Sequence, residues 1–455
     1  MTRGAITAAP HVPRHRAFLD ARAMVRNPVR VFERYRSELG PTFTVHMGGG
    51  RPALVSADPD VAQHVLQRNA GNYRMSDIRV KRMGEFQGQG LLNSHGEAWL
   101  KKRRFLGQGF TPARLAELIP MQQRVLDESL DRLDREAERG PLDIARAVLW
   151  INFRMVGRAV FGSRMTDDEI EHIASTIRTV QGFILRQIVR PYLIPWYRLS
   201  GQSRRYQQMR IDADRVARRY VAGRRGESSG EGGDLLDMML HTPWPDEGRR
   251  MDEEQVLIEA LQLFVAGNET SPTALSWALY LLGRHPHLFD AIRQEVDDVF
   301  GSGPFTADGL RRLDLTGRVL AETLRLYPSF WLIDRVAVDP DRIGDIRVPA
   351  GLMVLTYLYG LHRNPDVWSD PEAFDPDRFL REEAKGRSPF AYLPFGGGRR
   401  KCIGSNMAMV QMLLVLAGLV RRYRIERVGT EPVDIRPAMI LHPRGAIPMR
   451  LTRID

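Results

Sequence analysis

Cysteine occurs once in this 455-residue chain, as Cys402, in the run PFGGGRRKCIGSNMAMVQMLLVLAGLVRRY that starts at Pro394. Gly396, Gly397 and Gly398 permit tight backbone turns and the close approach of a flat ligand. Arg399, Arg400 and Lys401 bring positive charge that favours a thiolate over a thiol and can pair with carboxylates. Gly404 leaves room beside the sulfur, and an apolar helical pattern follows. A free cysteine is more often a small core residue, but that reading leaves the glycines and the basic cluster without a task. The residue types and their spacing fit a thiolate ligand.

A second constellation is Ala266-Gly267-Asn268-Glu269-Thr270-Ser271, which sets an acid beside an alcohol within a long helical pattern. Gly267 allows a ligand to come close, and a helical Thr or Ser can divert a carbonyl from its backbone bond. Pro272 lacks the N–H that would bond back to Asn268, so a local distortion and a groove are expected. Alone, Glu-Thr in a helix is usually a solvated acid next to a core alcohol. Glu322 and Arg325, in ETLR, share a helix face, and the ordinary reading is a surface ion pair of little worth. Trp99 and Arg103, four apart in HGEAWLKKRR, read as an arginine packed on an aromatic ring.

Taken together, these runs resemble one family. Phe395-x-x-Gly398-x-Arg400-x-Cys402-x-Gly404 is similar to the haem-binding signature of the cytochrome P450 family, and residues 266–271 resemble its oxygen-binding motif. The resemblance implies haem b with Cys402 as the axial iron ligand, whose electron donation promotes O–O cleavage. It places Arg400 at a haem propionate and Phe395 near the sulfur, and makes Trp99, Arg103 and Arg335 (in DRVAVD) further propionate contacts. Trp99 stands where many bacterial members carry histidine. Thr270 would hold the hydrogen-bonded oxygen species and Glu269 would relay protons from solvent; neither is a nucleophile. Glu322 and Arg325, with Arg378 of Pro376-Asp377-Arg378-Phe379, would form a buried structural network under the haem-binding core. His362, in HRNPDVW, belongs to another recognised segment with no assigned contact, and His95 reads as structural or surface rather than as a ligand. The implied activity is monooxygenation: one oxygen atom of O2 enters a lipophilic organic substrate as a hydroxyl group. A peroxide-driven fatty-acid hydroxylase and a non-catalytic haem sensor or ligand-binding protein are the alternatives; the retained Glu269-Thr270 pair speaks against both.

The elements that must position these residues are mostly helical. Residues 1–20 read as a flexible leader and 21–455 as one large haem domain, mainly α with small β-sheets in the cytochrome P450 fold. A surface helix is expected from Ala21 to Leu39, a glycine-broken hairpin from Thr42 to Val55, and a helix from Pro59 to Gln67. A polar loop then leads to Gly90. From Ser94 to about Met251 the pattern is helical, with breaks near Pro112, Gly140, Pro191 and Gly230. RRGESSGEGG, Arg224 to Gly233, reads as a surface loop rather than a domain linker. Helices are expected from Glu253 to Leu282 and from Leu315 to Leu326, with short strands from Val336 to Leu358 and from Tyr423 onward. Neither a doubly wound sheet nor a barrel fits this order.

Composition bounds the partners. The chain is 43% hydrophobic and 27% charged, a globular balance. Its net charge of +11 is spread thinly over helix surfaces, which argues against nucleic acid and suits equally a basic patch facing an acidic protein or a merely solvated basic surface. Arg399 to Lys401 and Lys101 to Arg104 are the candidates for that patch. With no flavin or ferredoxin module visible, the expected electron source is external: a ferredoxin with its NAD(P)H-dependent ferredoxin reductase, or another donor. One cysteine excludes an intramolecular disulfide. The absence of a long apolar run leads to the expectation of a soluble, cytoplasmic monomer with no transmembrane anchor. The pocket is expected from Met75 to Leu92, Phe183 to Tyr197, Leu263 to Ala266, Phe330 to Ile333 and Met439 to Leu441, segments rich in apolar and aromatic side chains. They suit a lipophilic small molecule, with fatty acids ahead of terpenoids and steroids. Arg178, Arg186 and Arg190 could attract a carboxylate or equally face water.

Overall fold

The computed structural model describes residues 9–47, 51–162, 164–225, 234–244 and 248–454. Its axis is the helix Glu253–Leu282, buried on nearly every side over its second half. The Asp252 side chain accepts from the Gln255 N–H, and Glu253 and Glu254 lie in the first turn, so the positive helix end is both capped and charge-matched. This long helix packs along Ile144–Phe161 and touches Asp314–Leu326 and the cysteine helix Ser405–Arg422. The cysteine helix also packs on Pro286–Phe300 and Pro112–Ala137. Its apolar run Met412 to Val420 is buried almost without interruption, which accounts for the sequence VQMLLVLAGLV.

Small sheets flank the helices. The five-stranded sheet runs in the order Thr42–Met47, Arg51–Ser56, Met353–Thr356, Ile333–Ala337, Tyr73–Arg74. Only the second and third of these strands pair in parallel. Ile333–Ala337 carries Arg335. A two-stranded ribbon, Ile435–Pro437 with Leu441–Pro443, lies against the long helix. Tyr423–Arg427, Pro448–Arg453 and Leu142–Asp143 form a third sheet.

The mainly α architecture, the hairpin and both long C-terminal helices stand as expected, and four local readings change. The leader is part of the fold from its tenth residue. Val12 donates its N–H to Thr44 O and Thr44 to Pro10 O, Val12 is buried, and a helix spans Arg14–Leu19. The helix expected from Ala21 to Leu39 breaks at Asn27, whose side chain caps Pro28–Leu39 by accepting from Arg30 N. Proline at the first helical position favours a fresh start there. The helix beginning at Pro59 ends at Gln63 and widens into one turn, His64–Arg68. The loop expected before Gly90 contains the helix Asp77–Gln87; only Arg82, Met83 and Phe86 of it are buried, so it shows little periodicity. The supposed surface loop at 226–233 and the hairpin glycines 48–50 lie outside the described residues. Among the described residues, no helix is long and apolar enough to cross a membrane.

Candidate active site

The cysteine loop is built by backbone geometry. Gly396 and Gly398 have φ of +71° and +64°, in the left-handed region that glycine tolerates. The two differ in surroundings. A Cβ on Gly396 would find Ile333 at 3.7 Å, whereas one on Gly398 would meet the carbonyl oxygen of Leu66 at 1.7 Å. The close approach that demands Gly398 is therefore to the wide turn His64–Arg68. Cys402 N–H donates to Phe395 O at 2.9 Å, closing the loop just before the cysteine helix. Phe395 itself packs half-buried on the main core. At Gly404 a Cβ would have only ordinary contact with Phe110.

The Cys402 side chain opens to solvent on one side while protein crowds it on the others. Burial pushes the thiol pKa up, and the Gly404 N–H, Arg103 and Lys401 pull it partly back. A thiol in that balance becomes a thiolate when a cation binds it. Around it gather arginines. Arg400 lies 4.6 Å from the Trp99 ring centre and donates to Ser94 O. Burial, reinforced by Arg335, Arg79 and Arg103, lowers its pKa to about 10. Arg335 is likewise pushed down to about 10 by burial, and Arg103 is lowered by the same cause. Asp334 offsets the burial of Arg335 only in part, because its carboxylate pairs directly with Arg79 at 2.5 Å. Among the described residues, Arg103, Arg335 and Arg400 form no ion pair with a carboxylate. Three guanidiniums, one buried and two half-buried, with no carboxylate in direct ion-pair contact and one soft sulfur ligand nearby, fit a haem: sulfur for the iron, cations and an indole for the propionates. The same residues hold no group of three His, Cys, Asp or Glu suited to another metal ion.

Behind this loop lies a fully buried ion pair. Arg325 meets both oxygens of Glu322 at 2.7 Å and donates to the carbonyls of His362, Pro371 and Ala373. Arg378 approaches Glu322 at 3.5 Å, and Asp375 N–H donates to the same carboxylate at 3.0 Å. The surface reading of Glu322-Arg325 fails; the network expected from the resemblance is the one present. His362 acquires a role here. Its ring is fully buried and Nε2 accepts from Leu393 N–H at 2.9 Å, while its carbonyl receives Arg325, so it links the ion pair to the cysteine loop. Burial, with Arg325 and Arg363 nearby, lowers its pKa to about 3. His95 is exposed at the start of the helix Gly96–Gly107.

The oxygen-side residues sit on the long helix. Thr270 Oγ1 donates to Ala266 O at 3.0 Å, and Ser329 Oγ donates to Thr270 O at 3.0 Å. The distortion expected at Pro272 does not break the helix, which runs on to Leu282. Asn152 accounts for this: its Nδ2 donates to Gly267 O at 2.9 Å and to Asn268 O at 3.2 Å, serving the carbonyl that Pro272 cannot. A Cβ at Gly267 would press on Val156 at 3.2 Å, so this glycine serves helix packing. Segment 329–335 joins the two halves of the site, from Ser329 at Thr270, past Ile333 at Gly396, to Arg335.

Glu269 sits between two basic groups. His442 Nε2 lies 3.6 Å from Glu269 Oε2, and Glu269 offsets the burial that lowers the pKa of Arg178. Arg178 stacks over Phe153 at 4.7 Å, with one terminal nitrogen buried and unbonded. Arg186 donates to Tyr206 Oη at 2.7 Å. Asn152 and His442 escaped sequence reasoning: neither lies in a motif, and each is joined to its partner only by folding. Arg104, Arg399 and Lys401 are exposed.

Comparison with known proteins agrees with this geometry. The family description "Cytochrome P450" matches residues 10–448. Cyclooctatin synthase of Streptomyces melanosporofaciens is 31% identical, over 86% of this chain and 85% of its own. Cyclooctat-9-en-7-ol 5-monooxygenase of the same organism is 29% identical, over 86% and 83%. Cytochrome P450 734A5 of Oryza sativa subsp. japonica is 30% identical, over 92% and 80%. The crystal structure of the cytochrome P450DA heme domain superposes with a TM-score of 0.87 over 99% of this chain and 98% of that one, at 22% identity, and so supports the fold. A thiol loop ringed by uncompensated arginines, a buried Glu-Arg network and a family match over nearly the whole length lead to one conclusion: this chain belongs to the cytochrome P450 family.

Proposed function

We propose that this cytochrome P450 monooxygenase hydroxylates a lipophilic, ring-containing substrate, with electrons from a ferredoxin and its NAD(P)H-dependent reductase. Haem supplies the oxygen chemistry when bound, activating O2 and inserting one atom into a C–H or double bond. The protein's part falls to named side chains. Cys402 ligates the iron; Arg103, Arg335, Arg400 and Trp99 hold the propionates; Phe395 shapes the loop at the sulfur. Thr270 offers its hydroxyl on the oxygen side, and Glu269 brings protons to it. Glu322, Arg325 and Arg378 keep the loop in place and touch no substrate. The observation that carries this reading is the set of shielded guanidiniums near the cysteine loop, Arg103, Arg335 and Arg400, none in direct ion-pair contact with a carboxylate.

The substrate class rests on a cavity beside the long helix. Leu257, Leu261 and Val265 recur every four residues and form one ridge that leads toward Glu269, with Phe86, Ile177 and Val180 facing it. Apolar walls of this kind suit a lipid-like body. The Arg210–Asp214 ion pair, 2.7 Å long, also lines the cavity and offers hydrogen bonds to a hydroxyl, whereas the Gln262 amide is engaged by Leu92, Gly88 and Asn93. One of the similar proteins is named for an alcohol, cyclooctat-9-en-7-ol, on which it acts as a 5-monooxygenase. Fatty acids rank second, because Arg186 is engaged by Tyr206 and Arg178 faces Glu269, leaving fewer cations for a carboxylate. The basic face at Arg104, Arg399 and Lys401 supports an acidic ferredoxin as donor.

The test is optical titration of the ferric holoenzyme with a macrocyclic terpene alcohol and, separately, with palmitic acid. A saturable low-spin to high-spin shift with the alcohol alone supports the proposal. A shift with the fatty acid alone replaces the substrate class and leaves the family intact.

A further inference from the structure

The strand Leu441–Pro443 is tied to the long helix through Leu441, the residue before His442. Trp277 Nε1 donates to Leu441 O at 2.9 Å, and Leu441 N–H donates to Ser329 O at 3.0 Å, while Ser329 in turn holds Thr270 O. So mounted, the His442 ring spans one turn of the helix. Nε2 lies 3.6 Å from Glu269 Oε2, and Nδ1 lies 3.4 Å from Thr273 Oγ1. Both partners are mostly shielded: the His442 side chain is 21% exposed and that of Glu269 14%.

We propose that His442 is a positioning residue that holds the Glu269 carboxylate and thereby sets the route by which solvent protons reach Thr270. The proposal rests on the roles given above to Glu269 and Thr270. A glutamate on a helix surface has several rotamers of similar energy, and most would carry its carboxylate away from the neighbouring threonine. A fixed donor selects one of them. The Thr273 hydroxyl suits Nδ1 as an acceptor, which leaves Nε2 to carry the hydrogen toward Glu269. The 3.6 Å separation is longer than a hydrogen bond and closes with a small turn of the carboxylate. Two other cations face this cluster. Arg178 comes from the helix Asp167–Val189, and Arg436 stands directly across the ribbon from His442. No proton is consumed by His442: it orients the acid that transfers it.

The experiment uses the holoenzyme without substrate or electron partner. The ferrous protein is mixed with O2, and the absorbance decay of its oxygenated form is followed in H2O and in D2O. Glu269→Gln should alter the decay rate and its solvent isotope effect. His442→Phe should move both in the same direction by about fivefold, the effect of losing one ordinary hydrogen bond. His442→Gln, which keeps a donor at that place, should recover most of the change, and His442→Phe should add nothing to Glu269→Gln. The ring nitrogens of wild-type His442, observed by 15N NMR in the diamagnetic carbonyl form, should show the Nε2–H tautomer and shift in Glu269→Gln. The proposal is overturned if His442→Phe decays as the wild type while Glu269→Gln does not, if the two effects add, or if the NMR signals ignore Glu269→Gln. An unaltered decay in Glu269→Gln itself overturns the role assigned to Glu269 instead.

Discussion

At the scale of single residues, two neighbouring glycines have the same backbone and opposite surroundings. Gly396→Ala meets mainly the cost of positive φ, about 1–3 kcal/mol. Gly398→Ala meets that cost and a backbone oxygen as well, and nothing flexible stands there to yield. The expected result is stable, haem-loaded Gly396→Ala and a Gly398→Ala protein that purifies with little haem, read from thermal melts and the ratio of haem to protein absorbance. Cys402, Arg400 and Thr270 were legible in the sequence because their chemistry is local: a glycine-basic-cysteine run and an acid-alcohol pair. The reason for Gly398 was not, since Leu66 lies far along the chain, and Gly267 turned out to serve Val156. His442 and Asn152 lack any local signal, being defined only by the helix they touch.

At the scale of elements, the site depends on segments pinned by buried charge. Removing one member of the Glu322–Arg325 pair strands the other without solvent, at a cost of about 3–5 kcal/mol. Arg325→Leu should therefore lower the melting temperature sharply and shed haem, although no atom of Arg325 is assigned to the cofactor. Denaturant melts of Arg325→Leu and the Glu322→Leu/Arg325→Leu pair check this: the double variant should be the less damaged, because it leaves no fully buried lone charge, while Arg378 keeps Asp375 at 3.8 Å. The three-residue spacing made the pair visible in sequence, but burial made it important, and burial is a property of the packed molecule. The helix Asp77–Gln87 was missed for the same reason, since its charged sequence is anchored by only a few buried side chains.

At the scale of the whole molecule, charge governs both stability and encounter. His362 stays neutral in the fold down to about pH 3, whereas an unfolded histidine takes its proton near pH 6.5. Between those values the unfolded chain binds the extra proton, so stability declines as pH falls through this window, by up to ~1.4 kcal/mol per pH unit. Asp334 and Asp341, both lowered to about 2 by their partners, add a further loss as pH falls from the ordinary carboxylate range toward 2. Melting temperatures from pH 7 to 4.5 should fall less steeply in His362→Gln than in the wild type. The charge excess of +11 has a kinetic counterpart. Arg104→Glu with Lys401→Glu should slow reduction by an acidic ferredoxin several-fold at low salt, and stopped-flow reduction rates should converge with those of the wild type as ionic strength rises. Composition anticipated the globular, basic character of the molecule, but which arginines face solvent and which lie buried around Cys402 emerges only from the fold.

The solitary sulfhydryl also gives the protein an internal gauge. The sequence has one cysteine, and under the ligation proposed above its sulfur is committed to iron once haem is bound. A maleimide dye can then react only with chains whose iron site has not been filled. The dye bound per chain counts the inactive fraction of a preparation directly, with no background from other cysteines to subtract.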